Sequence, residues 1–215
     1  MLELIKAGGW VMLPILLLAV VAMAIIIERF WSLRRKEVLP PGLGDEVREW
    51  ARGRQLDPAH IEVLRRNSPL GEILAAALDM RYRPRELIKE RVEDVARHVM
   101  HQMDRFMNTL GTIASVSPLL GLLGTVFGMI QMFLKILTTG VGDVNQLAGG
   151  IGQALISTAA GLCVAIPAVM FHRYFRGRVG EYVIDMEKQA IALLDTIDEG
   201  IMPAAKPARA KRSEA

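Results

Sequence analysis

Three long stretches of the chain contain no Asp, Glu, Lys or Arg, and they constrain the fold more than any other feature. They comprise residues 7–27, 107–134 and 144–172. Each reaches the roughly 20 residues that a helix needs to cross the hydrocarbon of a bilayer. The overall content of 52% hydrophobic residues decides little, because a soluble domain can match it. The distribution predicts an all-α membrane protein with three transmembrane helices and argues against a soluble enzyme.

The distribution of Lys and Arg predicts the topology. Of the 26 basic residues, 16 lie in residues 28–106 and 8 in residues 173–215. Three crossings put these two segments on one side of the membrane, which the positive-inside rule identifies as the cytoplasm. The segment before the first span lacks a positive cluster, which favours an uncleaved anchor over a signal peptide. We expect the N-terminus outside and the C-terminus in the cytoplasm, and no nucleic-acid partner.

These boundaries predict eight segments along the chain. They are an outer N-terminus (1–6), a first span (7–27), a cytoplasmic helical region (28–106), a second span (107–137), a short outer loop (138–146), a third span (147–172), a cytoplasmic helix (173–202) and a disordered basic tail (203–215).

The cytoplasmic segments carry helix signals. Asp57-Pro58 and Ser68-Pro69 each combine an N-cap residue with proline in the first turn. Apolar residues then recur at steps of four and three, which predicts a helix that continues without a break into the second span. They are Ile88, Val92, Val95, Val99, Met103 and Phe106. A second series after the third span predicts another long helix, which packs on the first or on a neighbouring copy. It comprises Val179, Val183, Met186, Ala190, Leu193 and Ile197.

The second and third spans each present one face of small and polar residues. Two interpretations of these faces remain open. Small residues let helices pack closely, and this interpretation assigns Gly124, Gly128, Gly161 and Ala154 to helix packing. Polar residues inside a membrane also face cavities or pores, and this interpretation assigns Thr125, Thr158, Ser157, Gln153, Gly121 and Ser117 to a pore lining.

The charge-free spans contain no carboxylate. A proton path needs a group that binds and releases protons at membrane depth. The chain therefore either conducts no protons or receives its acid from a partner helix. His98 and His101 with Asp94 have the spacing of metal ligands on one helix face, but we favour exposed helix residues and expect no metal or cofactor. The single cysteine, Cys163, is expected to be a packing residue.

Two motifs carry a family resemblance. Residues 118–129 (PLLGLLGTVFGM) resemble the second-span motif of the ExbB/TolQ/MotA proton-channel family. Residues 152–162 (GQALISTAAGL), followed by AIPA at 165–168, resemble its third-span motif, and Glu28-Arg29-Phe30 also fits. Three spans resemble the ExbB and TolQ branches, since the flagellar-stator branch has four.

The resemblance implies a subunit of the bacterial inner membrane with a periplasmic N-terminus, and no enzymatic activity. It implies a ring, a homopentamer, around the transmembrane helices of an ExbD- or TolR-type partner whose membrane Asp carries the protons. Such complexes apply force to a TonB- or TolA-type protein that reaches the outer membrane. Thr125 and Thr158 match the family's pore-facing threonines, whereas Gln153 stands where many members have Glu. A structural scaffold without ion conduction and a sodium-coupled member remain as alternatives.

Overall fold

The computed structural model describes residues 8–53, 57–139 and 144–201, and every regular element within these ranges is a helix. The helices are α1 (Met12–Ser32), α2 (Arg35–Val38), α3 (Leu43–Gly53), α4 (Pro58–Asn67), α5 (Pro69–Asp79), α6 (Arg85–Met103), α7 (Met107–Thr139) and α8 (Val144–Ile201). The all-α prediction is confirmed for this part of the chain. The N-terminus predicted at 1–6, the basic tail at 203–215 and residues 140–143 of the outer loop lie outside the described residues.

Three helical segments are long and apolar enough to cross a membrane, as the charge-free stretches predict. They are Met12–Ser32, Arg85–Thr138 and Ala148–Asp198. The second includes a turn at residues 104–106 that separates α6 from α7. Glycine and proline are tolerated in such helices because their backbone groups remain satisfied within the helix or by neighbours. Accordingly, α7 contains Pro118 and α8 contains Pro167 without ending there.

The chain divides into two units. The first comprises Met1–Leu33 and Asp104–Val179, and the second comprises Arg34–Met103 and Gly180–Ala215, so α8 contributes to both. In the first unit α1 contacts α7. Much of the remaining apolar surface of this unit is exposed, as expected of helices that face lipid or other membrane helices. Examples are Leu17, Val20, Leu119, Val126, Ile130, Leu155, Leu162 and Ile166.

Aromatic pairs hold both ends of α1 against the other two membrane helices. At its start, the Trp10 ring meets the Phe127 ring of α7 edge-on, with centroids 5.4 Å apart. Near its end, Phe30 meets Phe171 and Phe175 of α8 at 5.4 Å and 5.1 Å. Edge-to-face geometry is the arrangement that aromatic quadrupoles favour. The position of α1 in the first unit is therefore supported by aromatic contacts near its start and near its end.

The second unit is built around α5. This helix contacts α2, α3, α4 and α6, and its buried residues run through most of its length because nearly all of them are apolar. They are Leu70, Gly71, Ile73, Leu74, Ala75, Ala76, Ala77 and Leu78. Both predicted N-caps are confirmed. Asp57 Oδ1 accepts a hydrogen bond from the Ala59 amide at 3.2 Å, and Ser68 Oγ accepts one from the Gly71 amide at 3.1 Å.

The end of α8 belongs to the same unit and lies beside α6. The predicted apolar face of α6 is buried from Ile88 to Met103. Residues of α5, α6 and α8 line a shared cavity of about 360 Å³. Arg85, the first residue of α6, donates hydrogen bonds to Asp195 of α8, at 2.8 Å, and to Asp198. These bonds hold the pKa of Arg85 above its ordinary value.

The prediction of an unbroken helix from the cytoplasmic region into the second span is wrong. α6 ends at Met103, and α7 begins only at Met107. Between them Phe106 has a left-handed backbone with φ of 62°, a conformation that costs a residue with a side chain about 1–2 kcal/mol. Phe106 is also 40% exposed, whereas the five preceding residues of its series are buried. The guanidinium of Arg29 on α1 lies 5.7 Å from the centre of the Phe106 ring, a contact between distant parts of the chain that the periodicity of α6 does not reveal.

The central position of α5 predicts a large effect for Leu74→Ala. Leu74 is fully buried, so the substitution leaves a cavity and lowers the free energy of unfolding by about 2–5 kcal/mol. The matched control is Val63→Ala on α4, because Val63 is 68% exposed and should change that free energy by about 0.5 kcal/mol or less. Urea unfolding in detergent micelles, followed by circular dichroism, compares them. Equal shifts of the two midpoints would contradict this packing.

Candidate functional site

Small residues bring the backbones of α7 and α8 into direct contact. A Cβ atom added to Gly161 would lie 2.6 Å from the Ser117 carbonyl oxygen and 3.0 Å from Gly121 Cα. A Cβ added to Gly121 would lie 3.0 Å from the Ser157 carbonyl oxygen. The 2.6 Å distance is shorter than side chains tolerate, and at each 3.0 Å distance the neighbouring atoms would have to shift. Only glycine permits this approach, which is how membrane helices gain packing energy without a hydrophobic driving force.

The same contact continues along α7. Gly124 lies against the Ser157 side chain, and a Cβ on Gly128 would be 3.0 Å from the Gly150 carbonyl oxygen and 3.2 Å from Ala154 Cβ. The four residues that the sequence assigned to helix packing, which are Gly124, Gly128, Gly161 and Ala154, therefore all lie where α7 meets α8.

Two serines are enclosed in this contact. Ser117 Oγ donates to the Ile113 carbonyl at 2.7 Å, and Ser157 Oγ donates to the carbonyls of Gln153 and Ala154 at 3.0 Å and 2.9 Å. Both side chains are fully buried within this one chain. Their hydroxyls are satisfied by their own helices, as serines in membrane helices commonly are. Their assignment to a pore lining, with that of Gly121, stays a prediction.

The two threonines differ from the serines because both are only half-buried. Thr158 Oγ1 donates to the Gly121 carbonyl at 3.3 Å and so links α8 to α7. Thr125 lies one turn beyond Gly121 and donates to the Leu122 carbonyl at 2.6 Å. A hydroxyl that donates its proton to a carbonyl still has lone pairs that accept a hydrogen bond. Both threonines can therefore receive a hydrogen bond from a second donor.

Gln153 has a different neighbourhood from the one that the helical wheel suggests. Its side-chain amide lies so close to Gly9 that a Cβ there would overlap it. Gly9 precedes α1 and has φ of 74°, a conformation that glycine adopts without strain. Nearby, Val11 packs against Gly124. The helical wheel considers one helix at a time and does not reveal this contact, and the assignment of Gln153 to a pore lining stays a prediction. The Gly8-Gly9 pair was the signal for this close approach.

The second and third membrane stretches were searched by residue type for side chains that could carry a proton or bind a metal ion. Residues 107–134 and 144–172 contain no carboxylate, and Cys163 is exposed on α8. Among the described residues, no group of three His, Cys, Asp or Glu side chains lies close enough together to hold a metal ion. Asp94 pairs with Arg97 instead of joining the two histidines. These two stretches therefore hold no carboxyl group of their own.

One charged residue at the end of α1 was missed. The sequence used Arg29 only in the count of basic residues and in the Glu28-Arg29-Phe30 match, yet its side chain is 3% exposed. It donates two hydrogen bonds to Glu28, at 2.5 Å and 2.7 Å, and its guanidinium lies over the Phe106 ring at 5.7 Å. Nothing in the local pattern distinguishes such a residue from a surface arginine, because its burial depends on a residue far along the chain.

Comparison with known proteins agrees with the family resemblance of the two span motifs. The model of the MotA/TolQ/ExbB proton channel family matches residues 65–188. The ExbB-like 1 biopolymer transport protein of Synechocystis sp. is 37% identical over 174 residues, which cover 77% of this chain and 66% of that protein. The ExbB-like 3 biopolymer transport protein of the same organism is 34% identical over 179 residues, which cover 79% of this chain and 82% of that protein.

Similarity to the Salmonella typhimurium biopolymer transport protein ExbB is more local. The two are 35% identical over 127 residues, which cover 57% of this chain and 50% of that protein. The chain thus spans about half the length of this relative and slightly less than two thirds of the ExbB-like 1 protein.

The contact between α7 and α8 predicts opposite effects for two glycines of α8. Gly161→Ala forces a methyl group against the Ser117 carbonyl and should destabilise the protein by about 1–3 kcal/mol. Gly152→Ala is the matched control, because a Cβ there meets nothing within 4 Å and alanine is the better helix former. Thermal unfolding in detergent measures both. Equal midpoints for the two variants would contradict the close contact.

Proposed function

Because this chain belongs to the MotA/TolQ/ExbB proton channel family, we propose that it is the multi-span subunit of a proton-driven complex in the bacterial inner membrane. In this proposal the complex converts the proton gradient into force on a TonB- or TolA-type protein, for transport across the outer membrane or for its integrity. The observation that carries the proposal is the combination of accepting hydroxyls at Thr125 and Thr158 with spans that hold no carboxylate.

The missing acid belongs to a partner of the ExbD or TolR type. Such a protein has a single span, and its membrane Asp binds and releases the proton. Thr125 and Thr158 already donate to the backbone carbonyls of Leu122 and Gly121. Their remaining lone pairs suit the O–H of a protonated Asp or of an ordered water. The two hydroxyls therefore stabilise the loaded, neutral form of the acid at membrane depth, where an isolated charge is costly.

The assembly that this requires is a ring of copies, by analogy a pentamer, around the partner helices. The exposed apolar residues of α7 and α8 provide surface for lipid and for neighbouring copies. The N-terminus lies in the periplasm and the second unit in the cytoplasm, because the basic residues cluster in segments 28–106 and 173–215. The subunit catalyses no chemical reaction in this scheme and needs neither a metal nor an organic cofactor.

A structural scaffold is the second candidate function. The enclosure of Ser117 and Ser157 between α7 and α8 favours it, since both side chains are fully buried and their hydroxyls donate to carbonyls of their own helices. A scaffold would assemble with the same partner but would conduct no ions. Sodium coupling is a variant of the first proposal, because hydroxyls and one carboxylate also suit that ion.

The decisive experiment measures proton flux into liposomes that contain this chain and its single-span partner. The wild-type complex should acidify the lumen under a pH gradient, and changing the partner's membrane Asp to Asn should abolish the flux without preventing assembly. A flux that persists with Asn, or none with either partner, would favour the scaffold. Replacing the sodium in the buffer by potassium separates sodium coupling from proton coupling.

Thr125→Val and Thr158→Val test the two hydroxyls in the same liposomes. Valine keeps the volume, so the complex should assemble, yet flux should fall by about tenfold or more because a hydrogen bond to an ionisable group is worth about 1.5–3 kcal/mol. Thr112→Val is the control, since the Thr112 hydroxyl donates to the Asn108 carbonyl near the start of α7. Full flux through both test variants would remove these threonines from the proton path.

A further inference from the structure

His172 is the last residue of the third charge-free stretch, and its imidazole gives this stretch a group that can bind a proton. The stretches 7–27, 107–134 and 144–172 contain two side chains of titratable type, Cys163 and His172. Of these two types, histidine is the one that gains and loses a proton between pH 5 and 8. His172 is therefore the residue of these stretches that is best suited to proton exchange with water.

The imidazole ring of His172 lies against the backbone of α7. A Cβ atom added to Gly111 would be 3.2 Å from His172 Nε2 and 3.5 Å from its Cδ2, so the ring would have to shift to make room for it. Both residues belong to the first unit. His172 is half-buried, and part of its ring therefore remains accessible to solvent. The contact holds the ring between α7 and α8 without enclosing it.

Helical spacing places this contact on the faces that bear the two threonines. His172 follows Thr158 by fourteen residues on α8, and Gly111 precedes Thr125 by fourteen residues on α7. Fourteen residues make about four turns of an α-helix and about 21 Å of length, so each pair shares one face of its helix. The Thr158 hydroxyl already links the two helices through its hydrogen bond to the Gly121 carbonyl. The ring of His172 lies further along this side of the helix pair.

The topology puts His172 at the cytoplasmic end of that side. The segment that follows it, residues 173–215, holds 8 basic residues and lies in the cytoplasm by the positive-inside rule. A proton that leaves an acid beside Thr158 still has about 21 Å to travel along α8 before it reaches His172. A group that accepts and releases protons at this level would complete the path.

The charged side chains near His172 do not provide such a group. On α8 they are Arg173 and Arg176, which are exposed and remain protonated in proteins. The aromatic contacts of Phe30 bring the end of α1 beside this part of α8, and the charged residues there are Glu28 and Arg29. The Glu28 carboxylate accepts two hydrogen bonds from Arg29. Residues 107–134 of α7 add no charged side chain.

We propose that His172 is the relay residue through which protons leave the path to the cytoplasm. This statement rests on the proposed function. The neutral ring accepts a proton at one nitrogen from water that connects it to the partner's membrane Asp, and it becomes an imidazolium. The imidazolium then gives a proton to cytoplasmic water. The ring is neutral again, and one proton has crossed. Gly111 leaves the space in which the ring is held.

His172→Gln tests the relay in liposomes that contain the complex with its single-span partner. Glutamine keeps a polar side chain of similar length but cannot accept a proton near neutral pH, so flux should fall by at least about tenfold. His101→Gln is the matched control, because His101 is exposed on α6 of the second unit and should leave flux unchanged. A membrane potential at equal pH on both sides drives the flux, and the complex with the partner's Asp changed to Asn gives the background.

His172→Ala distinguishes a relay from a structural role. Alanine removes the ring beside Gly111 and leaves space for a free imidazole molecule, which should restore flux when it is added to the buffer on both sides. Pyrazole has the same ring size but stays unprotonated near neutral pH, so it should restore nothing. Imidazole should also fail to restore flux in Thr158→Val, because that variant lacks a hydroxyl and not a relay.

The outcomes separate the relay from the proposed function. Wild-type flux together with full flux in His172→Gln would overturn the relay and leave the proposed function intact. A loss of flux in both His172 variants that imidazole does not reverse would assign His172 to packing and overturn the relay as well. A wild-type complex without flux would refute the proposed function and the relay with it.

Discussion

The direct contact between α7 and α8 is the constraint on which the rest of the membrane part depends. Gly121 and Gly161 allow the two backbones to touch, and Ser117 and Ser157 then fit between the helices with their hydroxyls bonded to carbonyls. In the proposed function the acid comes from a partner helix, and the half-buried Thr125 and Thr158 receive it.

The fold could largely be predicted from the sequence, because its main signals are local. Charge-free length indicated three spans, and the Asp57-Pro58 and Ser68-Pro69 pairs marked helix starts that the structure reproduces. Helical spacing also placed Gly124, Gly128, Gly161 and Ala154 on the faces that meet. Each of these properties follows from residues within a few turns of one another, where hydrophobic period and capping chemistry are decisive.

What the sequence missed depends on residues far apart in the chain. Phe106 continues the apolar series of α6, yet a buried arginine of α1 accompanies the break in the helix at that residue. The contact of the Gln153 amide with Gly9 before α1 was also missed, while the assignment of Gln153 to a pore lining stays a prediction. Helical periodicity considers one element at a time and carries no information about such contacts.

The central claim concerns where Thr125 and Thr158 lie in the assembled complex. A cryo-electron microscopy structure of the chain with its single-span partner tests it most directly. We predict an axial opening lined by α7 and α8 of several copies, with both threonine hydroxyls within hydrogen-bond distance of the partner's membrane Asp or of a water bound to it. Threonines that face lipid, around an axis closed by packed side chains, would contradict the account.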